Sequence, residues 1–508
     1  MRNHFIGVLT VFLTAVLRRH DGALLRDNGY IAAVYEHVPV SDQDTHHVPS
    51  REKAVKWMNL NLDVYKVQAK LASSKGSQII VFPEYGLFGF GHDRNTILPF
   101  LETIPFPHTK HVNPCDDPIR YNATKVLRRL SCIAKEYSLV VVAGMGAVTY
   151  CDRSEDVYCP SDGRYQYNAA VAFDVGGTLV GRYYKINLFG DEKNTFNPGG
   201  TDKTNFGVFH TAFGSFGLII CYDMLFSEPS LKLIYDESIK NIVFPAAWFD
   251  GLPTLTAVNI QQAWAMGHGV NLLASNVHMP NEGATGSGIY NGLNGAVKYH
   301  YDMATNNGQL LIGWVPTIKG DHRCCTNADR TSASKETINS PLKWTNEAED
   351  TFYGILDNDL YTFVLLEEDH GSTSVCDGWL CCNASYTKYP ANYSTEVYAL
   401  GVFNGYHSAY SKFYLQVCVL LKCAGDSPSK CGSPVSTAST IFEKLSLSGN
   451  FDHGVYLFPM VLNNNVVLPP ISRWNSIYPY DHVWIDGTVH DPLVSAAIYG
   501  RWFERDPK

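Results

Sequence analysis

Between Ala54 and Ser74 apolar residues recur at helical spacing (Ala54, Met58, Leu62, Tyr65, Ala69), and Gly76 is placed to stop the helix. The run "QIIVF" that follows is apolar throughout and predicts a strand buried on both faces. The same alternation returns along the chain. Helical "ATKVLRRLSCIAKEYS" precedes strand-like "LVVVAGMG", "SLKLIYDESIK" precedes "NIVFPAAW", and "TAVNIQQAWAMGHG" precedes "VNLLASNV". Helices alternating with short apolar β-rich runs predict α/β layering. This pattern ends near residue 315, and residues 316–350 contain the polar, turn-rich "KGDHRCCTNADRTSASKETINSP", expected to be a linker or extended loop. From 351 to 508 β-type runs dominate ("YTFVLLEE", "EVYALGVF", "FYLQVCVLL", "GVYLFPMVL", "AAIYGRWF"), which predicts a mostly β second domain.

The 508 residues are 45% hydrophobic and 18% charged, a globular composition with ample core. A net charge of −9 without a basic run excludes nucleic acid as the expected partner. Small neutral or cationic substrates stay open, and oligomeric state is not legible. The opening "MRNHFIGVLTVFLTAVLRRHDGA" sets Arg2 before a short apolar run, so residues 1–23 are expected to be a secretory signal. No other run has membrane length, and the end "VSAAIYGRWFERDPK" carries no GPI-type tail, so a soluble, extracellular protein is expected. Secretion gives meaning to the sequons at Asn122, Asn383 and Asn392, expected to be glycosylated. Thirteen cysteines in such a chain favour disulfides and leave an odd thiol. The spacings do not read as a zinc site. Cys151–Cys159, Cys376 with Cys381 or Cys382, and Cys418–Cys423 read as short loop closures.

Three polar residues stand at the ends of apolar runs in residues 24–315. "IIVFPEYG" delivers Glu84 where a strand gives way to a turn, and "FGLIICYDM" does the same with Cys221. Between them, "AFDVGGTLVGRYYKINLF" predicts a hairpin turning at Gly176-Gly177, whose second arm carries Lys185. Singly, each has an ordinary structural explanation: a solvated carboxylate, a snorkelling lysine, an inert core thiol. Together they supply what amide cleavage by a thiol requires. A carboxylate takes the thiol proton and later hands it to the departing amine, and an ammonium stabilises thiolate and tetrahedral oxyanion. The backbone N–H of Tyr222, next to the nucleophile, is expected to join Lys185 in the oxyanion site. No metal or organic cofactor is needed for this chemistry. Trp248 and His278 are candidate pocket-lining residues.

In order and context Glu84, Lys185 and Cys221 resemble the Glu-Lys-Cys triad of the nitrilase superfamily. "YIAAVYEH", "DGRYQYN", "FGSFGLIICYDMLFSEP", "QAWAMGHGVNLLASN" and "TGSGIY" resemble its vanin (pantetheinase) and biotinidase branch. The similarity continues through "YLQVCVLLKC" and "CGSPVSTASTIFEKLSLSGNF". It implies an αββα-sandwich nitrilase-like catalytic domain at 24–315 and a β-rich vanin-type domain at 351–508. Glu84 is then general base and acid, Lys185 the oxyanion stabiliser and Cys221 the nucleophile. The resemblance also implies a small-molecule amide substrate, pantetheine in the leading reading and a biotin amide such as biocytin in the second. A catalytically silent secreted binding protein is the alternative of another class. Two departures stand out. Tyr85 follows the base where the branch usually carries an acidic residue, and the vicinal pair Cys324-Cys325 lies in the expected linker with its pairing open. With Cys221 free, the other twelve cysteines could form six disulfides.

Overall fold

The structure is a computed structural model that describes residues 28–41, 47–107, 111–202, 205–318, 350–389, 395–476, 481–486 and 491–507. The expected signal, Asn392, Cys324-Cys325 and nearly all of the expected linker lie outside these residues.

The first half is built on two six-stranded sheets. One takes β1 (Gly29–Glu36), β2 (Ile79–Val81), β3 (Val140–Tyr150), β4 (Arg164–Phe173), β5 (Leu179–Tyr184) and β12 (Gln309–Pro316), in the order β12-β1-β2-β3-β4-β5. The other takes β6 (Val208–Thr211), β7 (Gly214–Leu218), β8 (Asn241–Pro245), β9 (Asn271–Ser275), β10 (Ser287–Asn291) and β11 (Gly295–His300), in sequential order. The wholly apolar strands follow from burial on both faces. Ile79, Val81, Val140 and Val142 join Phe216, Leu218, Ile242 and Leu272 in one core, while the alternate residues Ile80, Val141 and Ala143 join helices α1 (Arg51–Ser74) and α2 (Lys125–Tyr137) in another. The α1 face is Ala54, Met58, Leu62, Tyr65 and Ala69, as its spacing predicts. A four-residue helix, α3 (Glu192–Thr195), follows β5, and α4 (Ala257–His268) lies between β8 and β9.

The expected helix over 230–240 forms over 230–236, its last five residues, Lys232–Asp236, winding more widely and burying Leu233 and Ile234. It goes no further because Ser238 takes a left-handed φ of 55° that no helix tolerates.

The C-terminal half holds a six-stranded and a five-stranded antiparallel sheet. Every residue of α4 is buried, because strand Tyr456–Asn463 closes over it. A Cβ on Gly267 would come within 2.4 Å of the Phe458 ring, so glycine permits that contact. The disulfides correct one expected pairing. Cys418 bonds Cys382, tying the two C-terminal sheets together, and Cys423 bonds Cys431. Cys418 lies within strand Phe413–Lys422, which extends to the residue before Cys423. Five extended residues span about 16 Å, far beyond the reach of one disulfide. Cys151–Cys159 forms as expected, Cys376 takes Cys381, and Cys115–Cys132 ties the loop before α2 to the middle of that helix. Asn122 is exposed in the loop before α2, whereas Asn383 is partly buried within a strand. Among the described residues no helix is long and apolar enough to cross a membrane.

Candidate active site

After β2 the chain crosses over β3 and presents Glu84, which is 1% exposed. The crossing is close. A Cβ on Gly144 of β3 would lie 2.6 Å from the Pro83 carbonyl oxygen and 2.8 Å from the Glu84 Cα, so the glycine of "AGMG" makes room for this loop. Gly144→Ala is expected to displace Glu84 and lower kcat by roughly 10²-fold with less effect on KM, as read by steady-state kinetics.

Lys185, the residue after β5, is also 1% exposed, and its neighbourhood explains how an ammonium survives there. Its Nζ donates to Glu84 Oε1 and to Glu192 Oε2, both at 2.7 Å. Asn168 Nδ2, on β4, donates to Glu84 Oε1 at 2.6 Å and to Glu192 Oε1 at 2.8 Å. Glu192 also accepts from the Tyr85 hydroxyl and from the Phe189 backbone N–H, each at 2.7 Å. Two carboxylates thus share one lysine, with unequal support. Burial pushes both up, but the lysine charge and the extra donors hold Glu192 below the usual carboxylate range. Glu84 has fewer donors and feels the Glu192 charge, so burial prevails and raises it to about 7. Burial by itself would lower Lys185, yet the charges of Glu192 and Glu84 hold it well above the ordinary lysine value. An environment that keeps one acid ionised and leaves its neighbour titratable near neutrality separates a structural anion from a proton carrier.

Cys221 is the free cysteine among the described residues. The chain leaves β7 through Ile219-Ile220 and turns sharply at Cys221, whose φ of 47° is left-handed, before a short 3₁₀ helix over Cys221–Leu225. A non-glycine residue held in that region marks stored backbone strain of the kind found at reactive positions. Asp223 locks the turn against the lysine strand. Its carboxylate accepts from the Tyr183 hydroxyl at 2.8 Å, from the Asn187 backbone N–H at 2.9 Å and from the Ile220 N–H at 3.0 Å. The residues flanking Lys185 are therefore bonded to the helix that carries Cys221. Burial, then the charge of Glu84, raise the Cys221 thiol well above its ordinary value, against the opposing pull of Lys185 and a hydrogen bond from the Ala247 backbone N–H. The sulfur rests as a neutral thiol within the electrostatic reach of both other groups.

Cys221 opens on a cavity of ≈ 240 Å³. Tyr222 and Trp248 line it, the indole held by Nε1 donating to the Leu255 carbonyl at 3.0 Å. His278 does not line it. Its ring nitrogens lie 2.7 Å from Glu36 Oε1 and 2.7 Å from the Thr305 carbonyl oxygen, in a separate buried cluster that pins the loop before β10. The sequence reading missed Glu192, Asn168 and the Ala247 N–H. For Glu192 a signal was present, an acid in the mixed-charge loop "GDEKN" just after Lys185. It also missed the C-terminal wall of the cavity, where Asp357, Tyr361, His407 and Phe413 face Cys221 and Trp248.

Residues 43–264 match the Carbon-nitrogen hydrolase family and residues 351–506 match the Vanin C-terminal domain. The human pantetheinase is 41% identical over 483 residues, covering 94% of this chain and 90% of its own. The mouse pantetheinase is 41% identical over 493 residues with the same coverage, and the rat biotinidase 38% over 501, covering 94% and 93%. The chain belongs to the vanin and biotinidase branch of the carbon–nitrogen hydrolases, enzymes that cleave amides other than peptide bonds.

Proposed function

We propose that the protein is a secreted amidase that cleaves pantetheine to pantothenate and cysteamine through a thioester on Cys221. The observation that carries the chemistry is the asymmetric pair of acids on Lys185, with Glu192 the standing counter-ion and Glu84 free to exchange a proton near neutrality. The Glu84 carboxylate takes the thiol proton as sulfur attacks the amide carbon. The oxyanion that forms is met by Lys185, whose third N–H is left over from its two carboxylates, and by the Tyr222 backbone N–H. Both bonds that Glu84 receives fall on Oε1, which leaves Oε2 for proton transfer. The protonated Glu84 then gives its proton to the amine nitrogen, the C–N bond breaks, and cysteamine leaves. Water attacks the thioester as Glu84 takes its proton, and the product acid departs as the thiol is restored. In this reading residues 24–315 carry the chemistry and 351–508 supply the second wall of the cavity, a division supported by the match of 351–506 to the Vanin C-terminal domain and by Asp357, Tyr361, His407 and Phe413 at the cavity. Secretion is supported by the five disulfides of the described residues.

Pantetheine is favoured over biotin amides by the marginally higher identity of the pantetheine hydrolases, 39–41% against 38–39% for the biotinidases. Side-by-side turnover of pantetheine and biocytin decides between them, and faster cleavage of biocytin would reverse the assignment. Because the base must be ionised to accept the thiol proton, kcat/KM is expected to fall about tenfold per pH unit below about 7, with Glu84→Gln removing that limb and about 10²–10⁴-fold of the rate. A flat profile from pH 5 to 8 would count against Glu84 as the base.

A further inference from the structure

The cavity that Cys221 opens on is closed by a hairpin from the other half of the chain. Its strands, β13 (Phe352–Leu356) and β14 (Asp359–Leu365), are joined by Asp357 and Asn358, both in the left-handed region with φ of 52° and 68°. Two left-handed residues make a primed hairpin turn, normally given to Asn-Gly or Asp-Gly. Here two side chains are kept at the tip, and both line the cavity. Asp and Asn are among the few residues with side chains that take this region readily, so the tip keeps two polar groups at little strain. Asp357 is anchored on one side, where the Thr254 hydroxyl donates to Oδ2 at 2.7 Å, a bond joining the two halves of the chain. Its Oδ1 lies over Gly251, where a Cβ would come within 2.8 Å. The other acids of the cavity are occupied. Asp359 Oδ2 sits 2.9 Å from His407 Nδ1, and Asp250 accepts from the Ala257 N–H at 2.8 Å and the Tyr301 hydroxyl at 2.7 Å.

We propose that Asp357 is a specificity-determining residue whose carboxyl accepts hydrogen bonds from hydroxyl groups on the acyl chain of the amide, an assignment that rests on the pantetheine reading. The surrounding wall, with Trp248, Phe249, Tyr361 and Phe413, suits branched hydrocarbon between polar groups, and Asp357 adds to it a carboxyl anchored through Oδ2 on Thr254. Burial also raises Asp357 to about 7, which fits neutral donors better than a permanent cation.

The test compares pantetheine with an N-acyl cysteamine whose acyl chain is unbranched and carries no hydroxyl, for the full-length protein and for Asp357→Gly and Asp357→Asn. Glycine removes the carboxyl while keeping the left-handed turn, and asparagine keeps an acceptor oxygen in a residue tolerant of that turn. Asp357→Gly is expected to lower kcat/KM for pantetheine about 10- to 100-fold while leaving the plain amide within about twofold, and Asp357→Asn to lower it less. Equal loss on both amides, or loss on neither, would overturn the proposal. Should the glycine variant not fold, judged by its melting transition, the asparagine variant decides: a ratio of the two substrates shifted by about threefold or more supports the role, and an unchanged ratio refutes it. If the unsubstituted protein fails to cleave pantetheine, the functional reading falls and takes this assignment with it. Cleavage with an undiscriminating Asp357 variant removes this assignment alone.

Discussion

Replacing Cys221 by alanine is expected to lower amide hydrolysis by on the order of 10⁴-fold or more while leaving the fold intact. The size follows from the role. In the proposed mechanism, removing the nucleophile deletes the covalent route altogether, and only binding and the oxyanion donors remain to assist water. Stability should change little. The side chain lost is small, alanine at the φ of 47° carries the same backbone strain as cysteine, and the bonds that hold the turn belong to Asp223, not to the sulfur. Steady-state rates beside thermal melting separate the two effects. In the parent protein a thiol-directed alkylating agent should inactivate in step with labelling of Cys221, the free cysteine among the described residues. An alanine variant that still cleaved pantetheine at a comparable rate would exclude the thioester route.

The second large effect is expected at Lys185, where methionine of similar length removes the charge from between two buried carboxylates. Loss of an oxyanion donor predicts a fall in kcat of about 10²–10³-fold. Stability should fall as well, by about 3–5 kcal/mol near neutral pH, because Glu84 and Glu192 are left uncompensated in a dry site. The pH dependence has a definite sign. Without the ammonium both acids have their folded pKa values raised above the unfolded ones, so stability is kept below the unfolded values and lost as pH rises through the folded ones. Urea unfolding of Lys185→Met should therefore show a deficit at pH 8 that shrinks toward pH 5. Adding Glu192→Gln, which removes one buried charge, is expected to restore part of the stability and none of the activity. A variant as stable as the parent at pH 8 would mean that the three groups are not electrostatically linked.

The positions of the three proposed catalytic residues were legible because each depends on short-range pattern. Apolar runs of strand length end at Glu84 and just before Cys221, and a hairpin signal at Gly176-Gly177 places Lys185 at the end of its second arm. Burial on both faces makes such runs conspicuous, so the α/β layering, α1, α2, α4 and the β-rich second half could be read directly. The helix expected over 230–240 was read too long at its C-terminal end, because its apolar spacing continues to Ile239 whereas φ at Ser238 is decided by how the segment packs after β7. Likewise Cys418 finds Cys382 through the stacking of two sheets, which local spacing does not encode.

Read without its fold, the chain already determined its layered class, its family resemblance and which carboxyl, ammonium and thiol were available. Tertiary structure decided how those groups are poised. Asn168 meets Glu84 across 84 positions, and Thr254 meets Asp357 across 103. Such meetings depend on how whole sheets stack, whereas periodicity reports only on neighbours a few residues apart. The division of labour between Glu84 and Glu192 is of the same kind, since a carboxyl's affinity for its proton is set by burial and by the donors that packing brings to it.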